Sequence, residues 1–481
     1  MRPLEIALLG VELLTFVLLA NSSLRSHRWG RLLALAAVLV AVAQAFLEGP
    51  RWQMVPAYVL SGLFLAVTVL RSGGASSAGA ARSLWQRIVA VGLGAIALTL
   101  AAALPIVVPV FHFPTPSGPY GIGTVTYHWV DESRPNMFAP SPSAHRELMA
   151  QVWYPALLDQ EPRRASYVPG ISFAGITRLV HLPSFFFDQL RYVTTNAQPS
   201  APMAGDGAKF PVLIFASGRG GYRQSSTFEV EELVSHGYIV VGIDQPYTAT
   251  DVAFPDGRHV QLDDRVAASV LDEHVVDDTF MLAVFDYLGR DAAFALDQLT
   301  AIDQSDPQGI LTGRLDLQST GIFGTSLGGI TAAEGCRLDA RFKACLILDV
   351  AMPPDVVQSG LQQPAMWINA DADDKRLEGW TPSDIREQQS TVQAVFSGLR
   401  SDGYSILIPG MYHADITDLP NIFPEPVSTI IGATGPMDTI RTHAAINAYS
   451  LAFFDQYLKS ESQPLLAGPS AQFPEIGLVK R

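Results

Sequence analysis

Four long apolar segments near the amino terminus constrain the fold of this chain more than any other feature of its sequence. They are Leu4–Ala20, Leu32–Leu47, Met54–Leu70 and Ile88–Phe111. A helix needs about 20 apolar residues, within a range of roughly 17–25, to span a bilayer, whereas a secretory signal peptide has one short apolar segment. A buried helical bundle in a soluble domain is the alternative. Four such segments with so few charges favour an all-α, four-helix transmembrane domain over residues 1–112.

The positions of the arginines predict how these helices are oriented. Six arginines lie in the first and third connectors between the apolar segments: Arg25, Arg28, Arg31, Arg71, Arg82 and Arg87. Only Arg2 precedes the first segment, and only Arg51 lies in the second connector. Because positive charge collects on the cytoplasmic side of a membrane, both ends of the bundle are expected outside. Residues 113–481 are then expected to form an extracytoplasmic domain.

The net charge differs in sign between these two parts of the chain. Residues 1–112 contain eight Arg, no Lys and three Glu, a net charge of +5, whereas the whole chain carries −14. Residues 113–481 therefore carry −19. A domain this acidic is not expected to bind nucleic acid or anionic lipid through its charge. Any membrane association is expected to come from the four spans.

The pattern of residues 113–481 alternates short apolar strands with helical segments. Strands are predicted at Thr124–Val130, Glu147–Ala156, Phe210–Ala216 and Ala344–Asp349, a long amphipathic stretch at Asp272–Ile302, and a last large helix over about 438–458. Continuously apolar strands between helices indicate a mostly parallel sheet that is covered on both faces. The fold class is therefore α/β, and ligands are expected at the carboxyl ends of the strands.

A possible nucleophile lies in the segment GIFGTSLGGI, where an apolar strand leads into a helical pattern. Gly324 and Gly328 flank Ser326 at the spacing that a sharp strand-to-helix turn needs if the serine hydroxyl is to stay exposed. A glycine turn with a capping serine is the alternative. A serine nucleophile also requires a base, and His413 follows a later strand in the chain order typical of such enzymes.

The acid and the oxyanion donors are less well defined by the pattern alone. Asp349 and Asp371 each follow a predicted strand, and the usual layout, with the acid after the later strand, favours Asp371. One oxyanion donor is expected to be the backbone N–H of Leu327, and the other is expected from the glycine loop SGRGG after Phe210–Ala216. No HExxH or CxxC motif is present, so neither a metal nor another cofactor is expected.

The chain contains two cysteines, Cys336 and Cys345, which are too few for a disulfide scaffold. An extracytoplasmic compartment permits one bridge between them. Buried free thiols are the alternative, and the sequence does not distinguish the two.

Together these segments resemble the plasma (lipoprotein-associated) platelet-activating factor acetylhydrolases and their bacterial relatives in the α/β-hydrolase superfamily. The similarity runs from about Phe113 to the carboxyl terminus and rests on FPTPSGPYGIG, MAQVWYPA, FASGRGGYRQSS, GTSLGG, ACLILDVA and PGMYHADITD. It implies an α/β-hydrolase fold, with Asp349 rather than Asp371 as the acid and the backbone of Arg219 as the second oxyanion donor. The usual His-Gly-Leu-Gly of the family reads SGRG here, which puts a cationic side chain at the mouth of the site.

The resemblance implies a serine carboxylic ester hydrolase that works through an acyl-enzyme, and the four apolar segments predict that it is anchored in the membrane. Its expected substrates are short or oxidised acyl esters of phospholipids. Two alternatives stay open: a general esterase, lipase or polyester hydrolase without phospholipid preference, and a non-catalytic binding module carried by the bundle. The sequence gives no indication of the oligomeric state.

Overall fold

The structure is a computed structural model that describes residues 1–21, 27–73, 84–139, 141, 143–159, 163–179, 181–268 and 279–481. It divides into two compact units. The first contains residues 1–111, 187–193 and 422–427, and the second contains residues 112–186, 194–421 and 428–481. Each unit encloses apolar cores of its own.

Four helices form most of the first unit: α1 (Pro3–Ala20), α2 (His27–Leu47), α3 (Val55–Gly73) and α4 (Leu84–Val107). All four are long and apolar enough to cross a membrane. Large apolar side chains on their outer surface remain uncovered, as at Ile96, which is 59% exposed. Glu12 is fully buried instead, and its Oε1 accepts a hydrogen bond from Ser61 Oγ at 2.7 Å. An apolar exterior and a buried, hydrogen-bonded carboxyl both suit a lipid environment.

A large, mostly parallel sheet is the centre of the second unit. The strands are β1 (Gly121–Pro135), β2 (His145–Ala156), β3 (Gln198–Pro199), β4 (Phe210–Ala216), β5 (Ile239–Asp244), β6 (Asp251–Ala253), β7 (His259–Gln261), β8 (Leu315–Thr325), β9 (Phe342–Leu348), β10 (Ala365–Ala370), β11 (Gly403–Ile408) and β12 (Gly477–Lys480). Over the described residues, the sheet order is β12-β11-β10-β9-β8-β4-β5-β2-β1-β3, with β6 and β7 as a separate hairpin. The run from β5 through β4 and β8 to β11 is parallel.

Helices cover both faces of this sheet. They are α5 (Ala174–Leu179), α6 (Thr227–Ser235), α7 (Asp264–Ala268), α8 (Thr279–Gln304), α9 (Leu327–Leu338), α10 (Pro354–Ser359), α11 (Ala372–Glu378), α12 (Pro382–Gly398), α13 (Val427–Ile430) and α14 (Thr439–Leu458). One apolar core contains residues of α8, α9 and α12, and a second contains residues of α6 and α14. The alternating apolar strands therefore form the double-sided α/β architecture that their pattern predicts.

Two details differ from the sequence pattern or extend it. The described part of the amphipathic stretch predicted over Asp272–Ile302 forms α8, which begins at Thr279, and residues 272–278 of the stretch lie outside the described residues. Cys336 and Cys345 form a disulfide with a Cα–Cα distance of 6.5 Å. The bond joins the helix that follows β8 to the neighbouring strand β9.

Candidate active site

The polar residues singled out in the sequence follow neighbouring parallel strands at one edge of the sheet. They are the loop 217–221 after β4, Ser326 after β8, Asp349 after β9, Asp371 after β10 and His413 after β11. The carboxyl ends of parallel strands meet at the same edge, which is where α/β proteins bind ligands.

Ser326 lies on a sharp turn between β8 and α9. Its backbone has φ 56° and ψ −123°, a conformation that residues with a side chain rarely adopt. The flanking glycines are required because the chain doubles back on itself: a Cβ at Gly324 would lie 2.1 Å from the Gly328 carbonyl oxygen, and one at Gly328 would lie 1.9 Å from that of Ala216. The tight turn therefore explains the G-x-S-x-G pattern physically, and Ser326 is left only half-buried.

The glycine loop after β4 lies directly beside Ser326. A Cβ at Gly218 would come within 3.2 Å of the Ser326 Cβ. The N–H groups of the two following glycines are engaged, since Gly220 donates to the Thr248 carbonyl at 2.8 Å and Gly221 donates to the Gly218 carbonyl at 2.9 Å. These bonds fix the path of the loop at the point where its backbone approaches the serine.

Asp349 and His413 are brought together although 64 positions separate them in the chain. His413 Nδ1 lies 2.8 Å from Asp349 Oδ2. Asp349 is fully buried, and Ser326 lies at the end of the adjacent strand, where its N–H donates to the Leu348 carbonyl at 2.9 Å. With Nδ1 held by the carboxylate, Nε2 is the ring nitrogen of His413 that is free to exchange a proton with a reacting group.

The second oxygen of Asp349 is occupied by three donors. Oδ1 accepts hydrogen bonds from the Ala370 N–H at 3.1 Å, from Gln388 Nε2 at 3.2 Å and from the buried ammonium of Lys375. Burial alone would raise the pKa of Asp349, but the Lys375 charge and the hydrogen bond with His413 outweigh it and hold that pKa well below its usual range. The carboxylate is therefore ionised at neutral pH.

Two further residues fix the position of His413. Its backbone N–H donates to Glu378 Oε1 at 3.0 Å, and its ring meets the Trp380 ring edge-to-face with centroids 5.4 Å apart. The Lys375 ammonium makes a cation–π contact with Trp380, at 4.3 Å from the ring centroid. Helix α11 and the residue after its cap thus surround the Asp349–His413 pair with a cation, an acid and an aromatic ring.

Asp371, the alternative acid, has a different local role. It precedes α11, and its Oδ1 accepts a hydrogen bond from the Asp373 N–H at 2.8 Å, which is the geometry of a helix N-cap. No hydrogen bond joins it to His413 in the part of the chain that the structure describes. The preference for Asp371 that the strand layout alone suggested therefore lacks a contact to support it.

Four contacts of the Asp349–His413 pair were missed by sequence reasoning: Lys375, Gln388, Glu378 and Trp380. Lys375 lies in a run of charged residues that reads as a solvated turn, yet its side chain is only 3% exposed. Its partner Asp349 is 26 positions away, so no local spacing signals the contact. The burial of Lys375 in the helix after β10 became visible only in the structure.

The family model for platelet-activating factor acetylhydrolase, isoform II, matches residues 107–253 and 298–464. The chain belongs to this family. Among curated relatives, the platelet-activating factor acetylhydrolase of Cavia porcellus is 24% identical over 372 residues, which cover 72% of this chain and 78% of the relative. The enzyme of Canis lupus familiaris is 24% identical, with 60% of this chain and 66% of the relative covered.

A solved structure, a ferulic acid esterase from Streptomyces cinnamoneus, is also similar. It has 29% sequence identity and a TM-score of 0.61, and the match covers 77% of this chain and 100% of the esterase. The second unit therefore has the α/β-hydrolase fold. Membership of the family and this fold together support an ester hydrolase, and α1, α2, α3 and most of α4 lie outside the family match.

Proposed function

We propose that this protein is a membrane-anchored serine ester hydrolase whose catalytic unit lies outside the cytoplasm. The observation that carries the proposal is the pair of Asp349 and His413 at the carboxyl edge of the sheet, next to a strained Ser326. Strain of this kind persists only where the surrounding structure enforces it, and it is concentrated at functional sites.

The first half of the reaction forms an acyl-enzyme. Ser326 Oγ attacks the ester carbonyl while His413 Nε2 takes its proton, and Asp349 stabilises the resulting imidazolium. The carbonyl oxygen becomes an oxyanion that the N–H groups of Leu327 and Arg219 stabilise. When the tetrahedral intermediate collapses, the ester C–O bond breaks and the alcohol leaves with the proton from His413.

The second half returns the enzyme to its starting state. His413 Nε2 removes a proton from a water molecule, which attacks the acyl carbonyl of the acyl-enzyme. The same two N–H groups stabilise the second oxyanion. Breakdown of this intermediate restores the Ser326 hydroxyl with the proton held by His413 and releases the carboxylic acid.

The membrane location is supported by features of both units. Four helices have the length and hydropathy of membrane spans, and the arginines of their connectors favour external ends for the bundle. The Cys336–Cys345 disulfide supports the same placement for the hydrolase unit, because such bonds persist in oxidising compartments and are rare in the cytosol.

The family favours short or oxidised acyl esters of phospholipids as substrates. A second candidate, a general esterase without phospholipid preference, is favoured by residues 254–297, which interrupt the family match. Met281, Val284 and Phe285 of this segment belong to the same buried apolar cluster as Leu327, the residue after Ser326. The apolar cluster that contains Leu327 is thus partly built from a segment that the family model does not match, and this segment is where a different acyl preference would arise.

The full chain, extracted in detergent, should react with a fluorophosphonate probe that labels activated serines. Ser326→Ala and His413→Ala should abolish labelling and lower ester hydrolysis at least about a thousandfold. Ser397→Ala, which removes an exposed hydroxyl from α12, is the matched control and should label like the wild type.

If the folded wild-type protein does not react with the probe, the proposed hydrolase mechanism is wrong. The non-catalytic binding module is then the better hypothesis. If labelling is normal, kcat/KM for phospholipids of increasing sn-2 chain length, compared with simple esters, separates the two substrate classes.

A further inference from the structure

Arg219 is a cation in the loop beside the nucleophile. It occupies the middle of the loop 217–221, and a Cβ on the preceding residue, Gly218, would lie 3.2 Å from the Ser326 Cβ. Its Nε and Nη1 atoms are shielded from solvent and make no hydrogen bond. No ion pair joins Arg219 to any carboxylate of the described residues. The proposed oxyanion role uses only the backbone of this residue, so the side chain has no assigned partner.

Three arginines of the described residues are more deeply buried than Arg219, and each has a carboxylate partner. Arg51 pairs with Glu5, Arg146 pairs with Asp291, and Arg223 pairs with Asp244. Arg223 is the closest comparison, because it follows Arg219 by four positions in the same glycine-rich segment. One glycine-rich segment thus contains a guanidinium with its carboxylate and, four positions earlier, a partly buried guanidinium that pairs with no carboxylate of the described residues.

An unpaired, desolvated cation destabilises the folded protein unless something compensates for it. Burial lowers the pKa of Arg219 to about 10, and no charged neighbour opposes that shift. The guanidinium is still protonated at neutral pH, and it presents several donors in a planar fork that suits carboxylate and phosphate oxygens. An anion that enters the site would supply the missing partner.

We propose that the Arg219 side chain binds an anionic group, a carboxylate or a phosphate, carried by the ester substrate close to the reacting carbonyl. The inference rests on the proposed hydrolase function and specifies its substrate class. The expected position of the anion follows from the fold. The Arg219 backbone belongs to the proposed oxyanion loop, so an anion bound by its guanidinium lies within about one side-chain length of the ester carbonyl. The anion can belong to the acyl chain or to the alcohol.

The test compares matched neutral and anionic esters, with the full chain in detergent. Mono-4-nitrophenyl succinate adds a carboxylate to the acyl side of 4-nitrophenyl butyrate, and 4-acetoxyphenyl phosphate adds a phosphate to the alcohol side of phenyl acetate. Arg219→Leu should lower kcat/KM for an anionic ester about 10–100-fold more than for its neutral partner. Arg219→Lys should retain part of the preference, since a point charge replaces the fork.

The acyl and alcohol arms identify which side carries the anion, and a selective loss in either arm supports the proposal. Arg290→Leu, which removes an arginine that is 53% exposed, controls for net charge and should leave the ratio unchanged. Equal losses on neutral and anionic esters in Arg219→Leu would overturn the proposal while leaving the hydrolase intact. A folded wild type that hydrolyses none of the four esters and resists the fluorophosphonate would overturn both.

Discussion

The helical unit and the hydrolase unit differ in which side chains they expose and which they bury. In the helical unit, large apolar residues such as Leu39 are exposed, whereas Glu12, Gln44 and Gln53 are fully buried. In the hydrolase unit, the apolar residues form cores on both faces of the sheet. The difference is compatible with two solvents: an apolar exterior suits lipid around the first unit, whereas the second unit hides apolar atoms from water.

The hydrolase unit also buries charges, but in general it pairs them. Arg146 with Asp291 and Lys375 with Asp349 are pairs in which both side chains are almost completely shielded. Breaking such a pair by removing one partner is strongly destabilising, because the other charge is left without compensation. The Asp349 cluster adds a functional constraint, since the same carboxylate holds His413.

The largest expected effect comes from removing that carboxylate. Asp349→Asn should lower kcat about a thousandfold to ten-thousandfold, because the amide favours the wrong tautomer of His413. Asp371→Asn is the matched control and should stay within about twofold of the wild type, since an N-cap asparagine is as good as aspartate. The measurement is steady-state hydrolysis of a simple ester.

Loss of folding must be separated from loss of catalysis in this experiment, because Asp349→Asn leaves Lys375 buried without a counter-ion. The double variant Asp349→Asn with Lys375→Met removes both charges and should recover thermal stability without recovering activity. Full activity in Asp349→Asn, or a matching defect in Asp371→Asn, would reverse the assignment of the acid.

The contrast between the two solvents can be tested with one substitution made in both units. Ile96 in α4 is 59% exposed and Ile440 in α14 is 78% exposed. Ile96→Arg should disfavour membrane insertion by about 2.5–3.5 kcal/mol, whereas Ile440→Arg, on a surface that meets water, should change stability by about 0.5 kcal/mol or less. Membrane fractionation after expression measures the first and thermal unfolding the second. Equal tolerance at both positions would argue that α4 is not surrounded by lipid.

The smallest expected effect concerns carboxyls that the hydrolase unit buries without a cation. Burial raises the pKa of Glu229 in α6 to about 8, only partly opposed by its hydrogen bond with Ser450, and Asp418 raises it further. The folded state therefore binds a proton that the unfolded state releases above pH ~4.5. The stability that this proton contributes is complete below that pH and is lost as the pH rises through about 8.

Glu229→Gln should flatten this dependence, because the amide keeps the acceptor for Ser450 and cannot ionise. Between pH 5 and 9 the variant should lose less stability than the wild type, measured by thermal unfolding across that range. Glu132→Gln, at a side chain that is 77% exposed, is the control and should follow the wild-type curve. Parallel curves for all three proteins would show that Glu229 does not titrate on unfolding.

Local chemistry in the sequence was enough to predict the elements and several of the residues of interest. The strand pattern at Phe210–Ala216 and the final helix over about 438–458 correspond to β4 and α14. The glycines around Ser326 predicted a tight turn because the steric demand is local: only residues without a Cβ fit at Gly324 and Gly328. The hydropathy and length of the apolar segments likewise identified four helices that could span a membrane.

Contacts between distant segments were decided only by the tertiary structure. From strand order alone, Asp371 and Asp349 were both plausible partners for His413; the sheet brings Asp349 to its Nδ1, and α11 uses Asp371 as a cap. The burial of Lys375, the Cys336–Cys345 bond and the missing partner of Arg219 are likewise properties of packing. Periodicity and turn chemistry act over a few residues, whereas which charges meet depends on how strands far apart in the chain lie side by side.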